Sequence, residues 1–411
     1  MANKFIVNQL TANKLLLDFE NALGITKFAK HEYDSKFGNA GAQIGDEILL
    51  RDAVQLTVGD GEVITPQSIE QKTRALRLNI HKHVAWETSI KEQTLSVQDW
   101  MKWHGSPSVK RLAAEVDRIV MRLAAIAAGS FVGTVDTDVS AFRTFGDARE
   151  QIENLGAPDN DDMLMLINAR TQNDAVTLSS ALFNSQSEIS EQYKNGNMGR
   201  HAGFNWHRTN NVYRHTVGPL GGTPLVDGAQ TGSSILTKGW TAAAANRLKQ
   251  GDAITFGSAT AGVFKVNPIT KVALPDLYVA RAAADVDSDA AGAATIPLTE
   301  ELIATGPYQN VSRALADDDT IQIFGHASSY ASKTTAMNLA MHPDAVVFAM
   351  APLYVPKNLD FGGMQYDKDT GLAISFARDF EIRTHKLITR IDVLAGAAVT
   401  HRDWISNVLA K

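Results

Sequence analysis

Residues 371–396 read GLAISFARDFEIRTHKLITRIDVLAG. Branched and aromatic residues gathered into short runs predict strands over Leu372–Phe376, Glu381–Thr384 and Leu387–Leu394. Gly396 closes the stretch, His401-Arg402 follow, and Trp404–Leu409 predicts a short final helix.

Upstream, Leu76, Leu78, Ile80, Val84 and Trp86 alternate with Arg77, Asn79, His81 and His83, and only Lys82 breaks the pattern. Period two predicts a half-buried strand. Ser106-Pro107 places an N-cap and a first-turn proline ahead of an alanine-rich run reaching Gly129. Leu112, Val116, Ile119, Leu123 and Ile126 recur at helical spacing, so Pro107–Ala128 predicts a rod of about 33 Å. Near the amino terminus, Leu15, Leu16, Phe19 and Ala22 share a helical face over Thr11–Ala22, with Thr11 as its N-cap. From Glu32 to Gln71 the chain turns glycine-rich and polar. Ile48–Leu50 and Val54–Val58, followed by Gly59-Asp60-Gly61, give a hairpin signal. Ala148–Leu155 predicts a helix within a mixed α/β region.

Between Gly218 and His326 the texture changes to Gly, Ala, Thr and Asp, with β-prone runs at Ala253–Phe256, Val263–Val266, Leu277–Ala280 and Thr320–Phe324. About 100 residues of this kind predict an inserted barrel or sandwich. Its core would include Ile254, Phe256, Val263, Val266, Leu277, Val279, Ile321 and Ile323, with Trp240 as its one tryptophan. No period of 20 to 50 residues is visible, which argues against a solenoid or propeller.

The 411 residues exceed one ordinary hydrophobic core, and 44% apolar with 20% charged residues is a globular composition. With no cysteine, disulfides, thiolate zinc, iron–sulfur clusters and cysteine nucleophiles are excluded. No signal peptide and no apolar membrane span is visible, which implies synthesis in a reducing cytoplasm and no membrane partner. A net charge of −6 argues against a protein whose chief affinity is for nucleic-acid phosphate.

Catalytic and metal motifs give no site. His81 and His83 share a strand face and have the spacing of metal ligands, but no carboxylate follows at ligand spacing, and a solvated face is the simpler reading. Asp285-Val286-Asp287-Ser288-Asp289 resembles the opening of a calcium loop, yet Ala290 replaces the turn glycine and Ile296 the bidentate glutamate. Asp317-Asp318-Asp319 reads as a solvated turn or a cation site between subunits. His31-Glu32 lacks a second histidine at helical spacing. Gly218–Gly222 contains Pro219, which removes an amide donor, so a junction is favoured over a phosphate cradle. No catalytic, cofactor-binding or metal residue is assigned; no cofactor and no enzyme activity is expected.

Asn338–Leu353 (NLAMHPDAVVFAMAPL) resembles the stretch of tailed-phage coat proteins in which a helical turn ends at His-Pro and enters a central strand. Gly371–Phe380 and Thr389–Gly396 resemble their carboxyl-terminal strands. Gly203–Trp206 with His215–Gly218 is similar to the approach to the insertion in the coat family of short-tailed, Salmonella-type phages. The resemblance implies an α+β fold of the Hong Kong 97 type. Its order would be an N-terminal arm (1–31), an extended loop (32–75), a peripheral domain with the spine helix (76–135), an axial domain and return strand (136–217), an inserted β-rich domain (218–328), and axial and peripheral strands (329–411). In that family the arm and the extended loop lie across neighbouring subunits. It further implies a major capsid protein that self-assembles as pentamers and hexamers into an icosahedral virion head. Its partners would be a separate scaffolding protein, a portal protein and nonspecifically contacted double-stranded DNA, with assembly in the host cytoplasm. A head decoration or binding protein is the rival reading, and an unrecognised hydrolase a third.

Overall fold

The computed structural model describes residues 3–31, 47–51, 54–56, 66, 69, 71–91, 101–159, 162–179, 199–242, 246–258, 260–326, 328–356, 359, 361–367 and 370–411. The chain forms two compact units, Met1–Asp52 with Lys72–Met121 and Val346–Thr400, and Ala53–Gln71 with Arg122–Ala345 and His401–Lys411.

In the first unit the quoted stretch becomes a hairpin of Ala373–Glu381 and Lys386–Val399. Glu381 ends the first strand, and Ile382–His385 is the turn rather than a strand of its own. Lys386–Val399 organises the sheet. One of its edges pairs with Ile80–Ser89 along Lys386–Ala395. The other pairs first with Ser375–Glu381 and then with Val346–Ala351. Phe361–Tyr366 adds an outer strand. The alternation around residues 76–86 is realised in two pieces, Thr73–Arg77 and Ile80–Ser89, interrupted at Leu78-Asn79. Lys82, the residue that broke the pattern, lies on the inner face and reaches Glu115 at 3.9 Å. Glu47–Arg51 pairs with Thr73–Arg77, not with the run after Asp52. Gly59-Asp60-Gly61 lies outside the described residues. Leu76 packs with Val347 and Ala349 beneath this ribbon.

The arm helix is Asn3–Ala22, so Thr11 lies inside it rather than at its cap. Ala12, Leu15, Leu16 and Phe19 are buried, and the helix packs on Phe361–Tyr366 and Ala373–Glu381. The spine helix is Ser106–Ala127, preceded by one π turn at Met101–Gly105. In the first unit its buried stripe is Val109, Leu112, Ala113, Val116 and Val120. Ile119, Leu123 and Ile126 are only half-buried, while Ala124, Ala125 and Ala128 are fully buried. Ser106 does not spend its hydroxyl on the helix end; it donates to Asp18.

The second unit is built on a seven-stranded sheet in the order Ser130–Gly133, Ile405–Ala410, Thr334–Met341, Leu164–Ile167, Phe204–Arg208 and Arg200–His201, with Tyr213–Thr216 also paired to Thr334–Met341. Residues 405–410, expected as a helix, are a strand, fully buried between two neighbours. His342-Pro343 follows a strand, and its helical turn, Pro343–Ala345, comes after the pair. Helix Arg143–Asn154 covers one face through Phe145, Ala148 and Ile152. Phe145 meets Trp206 edge-on at 4.9 Å, a geometry that aromatic pairs favour.

Within the same unit, residues 222–323 form short antiparallel sheets. Gly232–Trp240 lies between Gly222–Val226 and Ala294–Leu302, and Ala253–Phe256 lies between Ala280–Arg281 and Ile321–Ile323. Ile254, Phe256, Val263, Val266, Val279, Ile321 and Ile323 are buried, while Leu277 is half-buried. Trp240 is buried and its indole N–H donates to Thr237 at 2.8 Å.

Candidate anchoring and assembly surfaces

Asp117 sits on the spine helix with 2% of its surface exposed. Its carboxylate accepts from the Gly24 amide, the Thr26 amide at 3.2 Å and the Thr26 hydroxyl. These donors belong to the start of the short helix Ile25–Phe28, whose first amides have no partner within that helix. A carboxylate more than 90 residues along the chain therefore serves as its cap. Burial raises the Asp117 carboxyl above its usual range, although the Thr26 hydroxyl and both amides pull the other way.

The solvent face of the first unit's sheet carries paired charges. Lys386 meets Glu87 at 2.6 Å, and Asp392 accepts from Arg390 while lying 3.0 Å from His81. His81 and His83 share this face, with ring centroids 6.4 Å apart. Asp392 is thus already engaged. Beyond the pairs, Ile382 is 81% exposed at the hairpin turn, and Leu49 is 62% exposed on the ribbon.

The second unit buries cations instead. Arg281 has no exposed surface. It donates to the carbonyls of Ala128 at 2.9 Å, Gly251 at 3.0 Å and Ser130 at 3.4 Å, and lies 5.7 Å from the Phe324 ring. Asn407 donates to Ala125 O at 2.9 Å, and the Gly129 amide to Arg402 O at 2.8 Å. The carbonyls that a helix terminus leaves open are thus met by a guanidinium and an amide, with a charge of the sign that suits a C-terminus. Burial and Arg402 pull the Arg281 guanidinium down to about 9. Arg402 donates to Val279 O and lies 3.7 Å from Glu300. Burial depresses its guanidinium, but Tyr278, Glu300 and Asp403 outweigh that and raise it overall. Lys265 donates to Ser130 Oγ at 2.6 Å, and burial lowers its ammonium to about 8 against the pull of Asp276 and Asp403.

Nearby in the chain, Asp252 is fully buried. It lies 2.7 Å from His215 Nε2 and accepts from the amides of Gly218 at 3.1 Å and Lys249 at 2.8 Å. Gly218 is held so close that a Cβ would stand 2.4 Å from Arg247 O. Leu220, Gly221 and Gly222 all take positive φ, so the backbone turns sharply through this segment.

The remaining sequence candidates are accounted for singly. Asp317 and Asp318 each lie 2.8 Å from Lys238, and Asp319 holds Arg313 at 2.8 Å. Asp285 accepts from the Gln250 amide, Asp289 accepts from Ala291 and Ala293, and Asp287 lies on a strand opposite Asn246. Asp285 and Asp289 therefore each serve backbone amides of different segments. Glu32 lies outside the described residues. Among the described residues no group of three or more His, Asp or Glu could hold a metal. Also among them, no helix is long and apolar enough to cross a membrane. Asp117, Arg281, Lys265 and Arg402 escaped sequence reasoning; a charged residue inside an apolar run was the available signal.

A long helix, an arm clasped beside it, a strand-paired ribbon and two mixed sheets together make the α+β architecture of phage capsid subunits, of the Hong Kong 97 type. The chain belongs to the P22 coat protein family, whose model, described as P22 coat protein - gene protein 5, matches residues 2–406. It is a major capsid protein, a virion component that forms the icosahedral head. Among solved structures it resembles a chain of Mycobacterium phage Che8, 10% identical with a TM-score of 0.50, covering 94% of this chain and 90% of that one. It also resembles the capsid of Ralstonia phage GP4, at 11% identity and TM-score 0.47 over 94% and 88%. The capsid of cyanophage P-SCSP1u gives 10% and 0.46 over 93% and 86%. Comparison with curated proteins finds no match.

Proposed function

We propose that this coat protein tiles the head as pentamers and hexamers, assembling in the host cytoplasm with a separate scaffolding protein and a portal protein, around double-stranded DNA that it contacts without base specificity. Its role is structural, with no catalytic step of its own. The observation that carries this reading is the exposure of large apolar side chains: Leu49 on the ribbon is 62% exposed and Ile382 at the hairpin turn 81%. Apolar residues presented in this way gain their burial energy, about 1.5–3 kcal/mol each, only when a neighbour covers them.

The same reading divides the chain into arm (1–31), loop (32–75), peripheral (76–135), axial (136–217), inserted (218–328) and returning (329–411) segments. The inserted segment is supported by its own buried apolar set and by its meeting ends, where the Ser332 amide donates to Gly218 O at 3.1 Å. An excised fragment spanning it should show a strand-type circular dichroism spectrum and one cooperative transition followed by Trp240 fluorescence.

Electron microscopy of the protein expressed alone and with its neighbouring phage genes tests the assembly reading. Uniform closed shells should appear with the scaffolding and portal genes, and irregular or fewer shells without them. Small oligomers under both conditions would refute it.

A further inference from the structure

The 35 residues 192–226 contain no Asp or Glu, although 45 carboxylates in 411 residues would place about four there. They carry Lys194, Arg200, Arg208 and Arg214 with three histidines, so a chain of net charge −6 owes −10 to the remainder. We propose that Arg200, Arg208 and Arg214 form the surface through which this coat protein contacts nucleic-acid phosphate, an inference that rests on the head-forming reading above.

The geometry gives these arginines a rigid mounting. Arg208 ends the strand Phe204–Arg208, whose Phe204 and Trp206 are buried. Arg214 lies on Tyr213–Thr216, which is fixed at His215 by the buried Asp252. Thr209, Asn210, Asn211 and Val212 join the two strands, and the Asn211 amide donates to Thr209 Oγ1 at 3.2 Å. All three arginines are exposed.

Charge pairing sets Arg208 and Arg214 apart from several other surface arginines. Arg118, Arg143, Arg170, Arg313 and Arg390 each hold a carboxylate of their own subunit. Arg208 and Arg214 have no carboxylate partner among the described residues. Glu153 and Asp159 belong to Arg149, whose guanidinium lies beside Gly203 in the adjoining hairpin. A net-negative subunit repels DNA over most of its surface, so contact is confined to a place that lacks carboxylates and offers arginine forks together with neutral Asn and Thr donors.

The test uses the full-length subunit held below its assembly concentration and a fluorescently labelled 20-base-pair duplex, followed by anisotropy across a salt series. The wild type should bind with an affinity that falls steeply with salt. Arg200→Gln/Arg208→Gln/Arg214→Gln should flatten the slope of log K against log salt by about 2.7, since each lost phosphate contact removes about 0.9. The corresponding triple lysine variant should restore it, which separates lost charge from lost fold. Arg118→Gln/Arg143→Gln/Arg390→Gln removes the same charge from paired sites and should leave the slope unchanged. Equal affinity and slope in the wild type and the glutamine variant would overturn the proposal. So would an equal loss in the control, or equally tight binding of polyglutamate, which would mark a surface for acidic protein. Shell formation by the same variants, scored by microscopy, reports separately on the head-forming reading.

Discussion

Asp117 and Arg281 solve one problem with opposite charges. Each is a buried ion that satisfies backbone groups left open at a helix end: Asp117 takes the amides that start Ile25–Phe28, and Arg281 takes carbonyls just past the end of the spine helix. In both cases the sign agrees with the helix dipole. They differ in company. Asp117 is an isolated anion within an apolar stripe, and burial pushes it toward its neutral form. Arg281 has Arg402, Lys265 and Asp252 about it, so a single substitution there also shifts the balance of its charged neighbours. Buried ions of this kind add little net stability, yet breaking one leaves its partners uncompensated. The cost of removal therefore measures how completely each ion's partners depend on it.

The largest effect should come from Arg281→Ala, which strands three carbonyls in a region without solvent. A loss of about 3–5 kcal/mol is expected, read as a fall in denaturant midpoint with unchanged m-value. A loss below about 1 kcal/mol would mean that neighbouring groups substitute for the guanidinium. Next comes Ala114→Pro, which breaks the spine helix just ahead of Asp117 at a cost of about 3 kcal/mol or more; soluble coat protein should disappear, and a normal yield of particles would contradict a continuous helix. Asp117→Asn keeps one acceptor oxygen and should cost about 1–3 kcal/mol, releasing the arm to protease earlier than in the wild type. Because the folded-state pKa of Asp117 is raised, stability at this site falls as pH rises above the unfolded value. The asparagine penalty should therefore grow toward pH 4, and a penalty that shrinks on acidification would reverse the assignment.

The smallest and most diagnostic change is Lys265→Met. The folded ammonium titrates at about 8 against an ordinary 10.5. The unfolded chain therefore binds the extra proton between those values, and wild-type stability rises with pH across that window. Below pH 8 the buried charge costs about 3 kcal/mol, offset by roughly 1–2 kcal/mol from its charged hydrogen bond to Ser130. The methionine variant should gain about 1–2 kcal/mol at pH 7 and lose that advantage by pH 10.5. A pH-independent difference in chemical denaturation would remove the buried-lysine account.

The sequence was most legible where periodicity reports burial directly. Residues 76–86 and the spine helix follow from side-chain spacing, and the strands at 253–256 and 321–323 from short β-prone runs. Trp404–Leu409 misled because a short apolar run suits either a helix or a buried strand; its place between two strands decides the matter, and those partners lie about 70 and 275 residues away. The charged anchors were invisible for a related reason. Asp117 within a helical pattern reads as a solvated position until Gly24 and Thr26 are placed against it, and Lys265 reads as an ordinary strand polar residue until Ser130 arrives. Spacing encodes faces, whereas these sites are made by contacts between distant segments.

Strand Ser130–Gly133 pairs with residues 406–409, and Ile80–Ser89 pairs with residues 386–395. During translation each early strand therefore waits for a partner made about 275 to 305 residues later. At 5–20 residues per second, that interval is roughly 15–60 s. Through it the nascent chain displays open strand edges and uncovered apolar faces, so the hazardous period for this coat protein falls on the ribosome, before any subunit exists to join a shell.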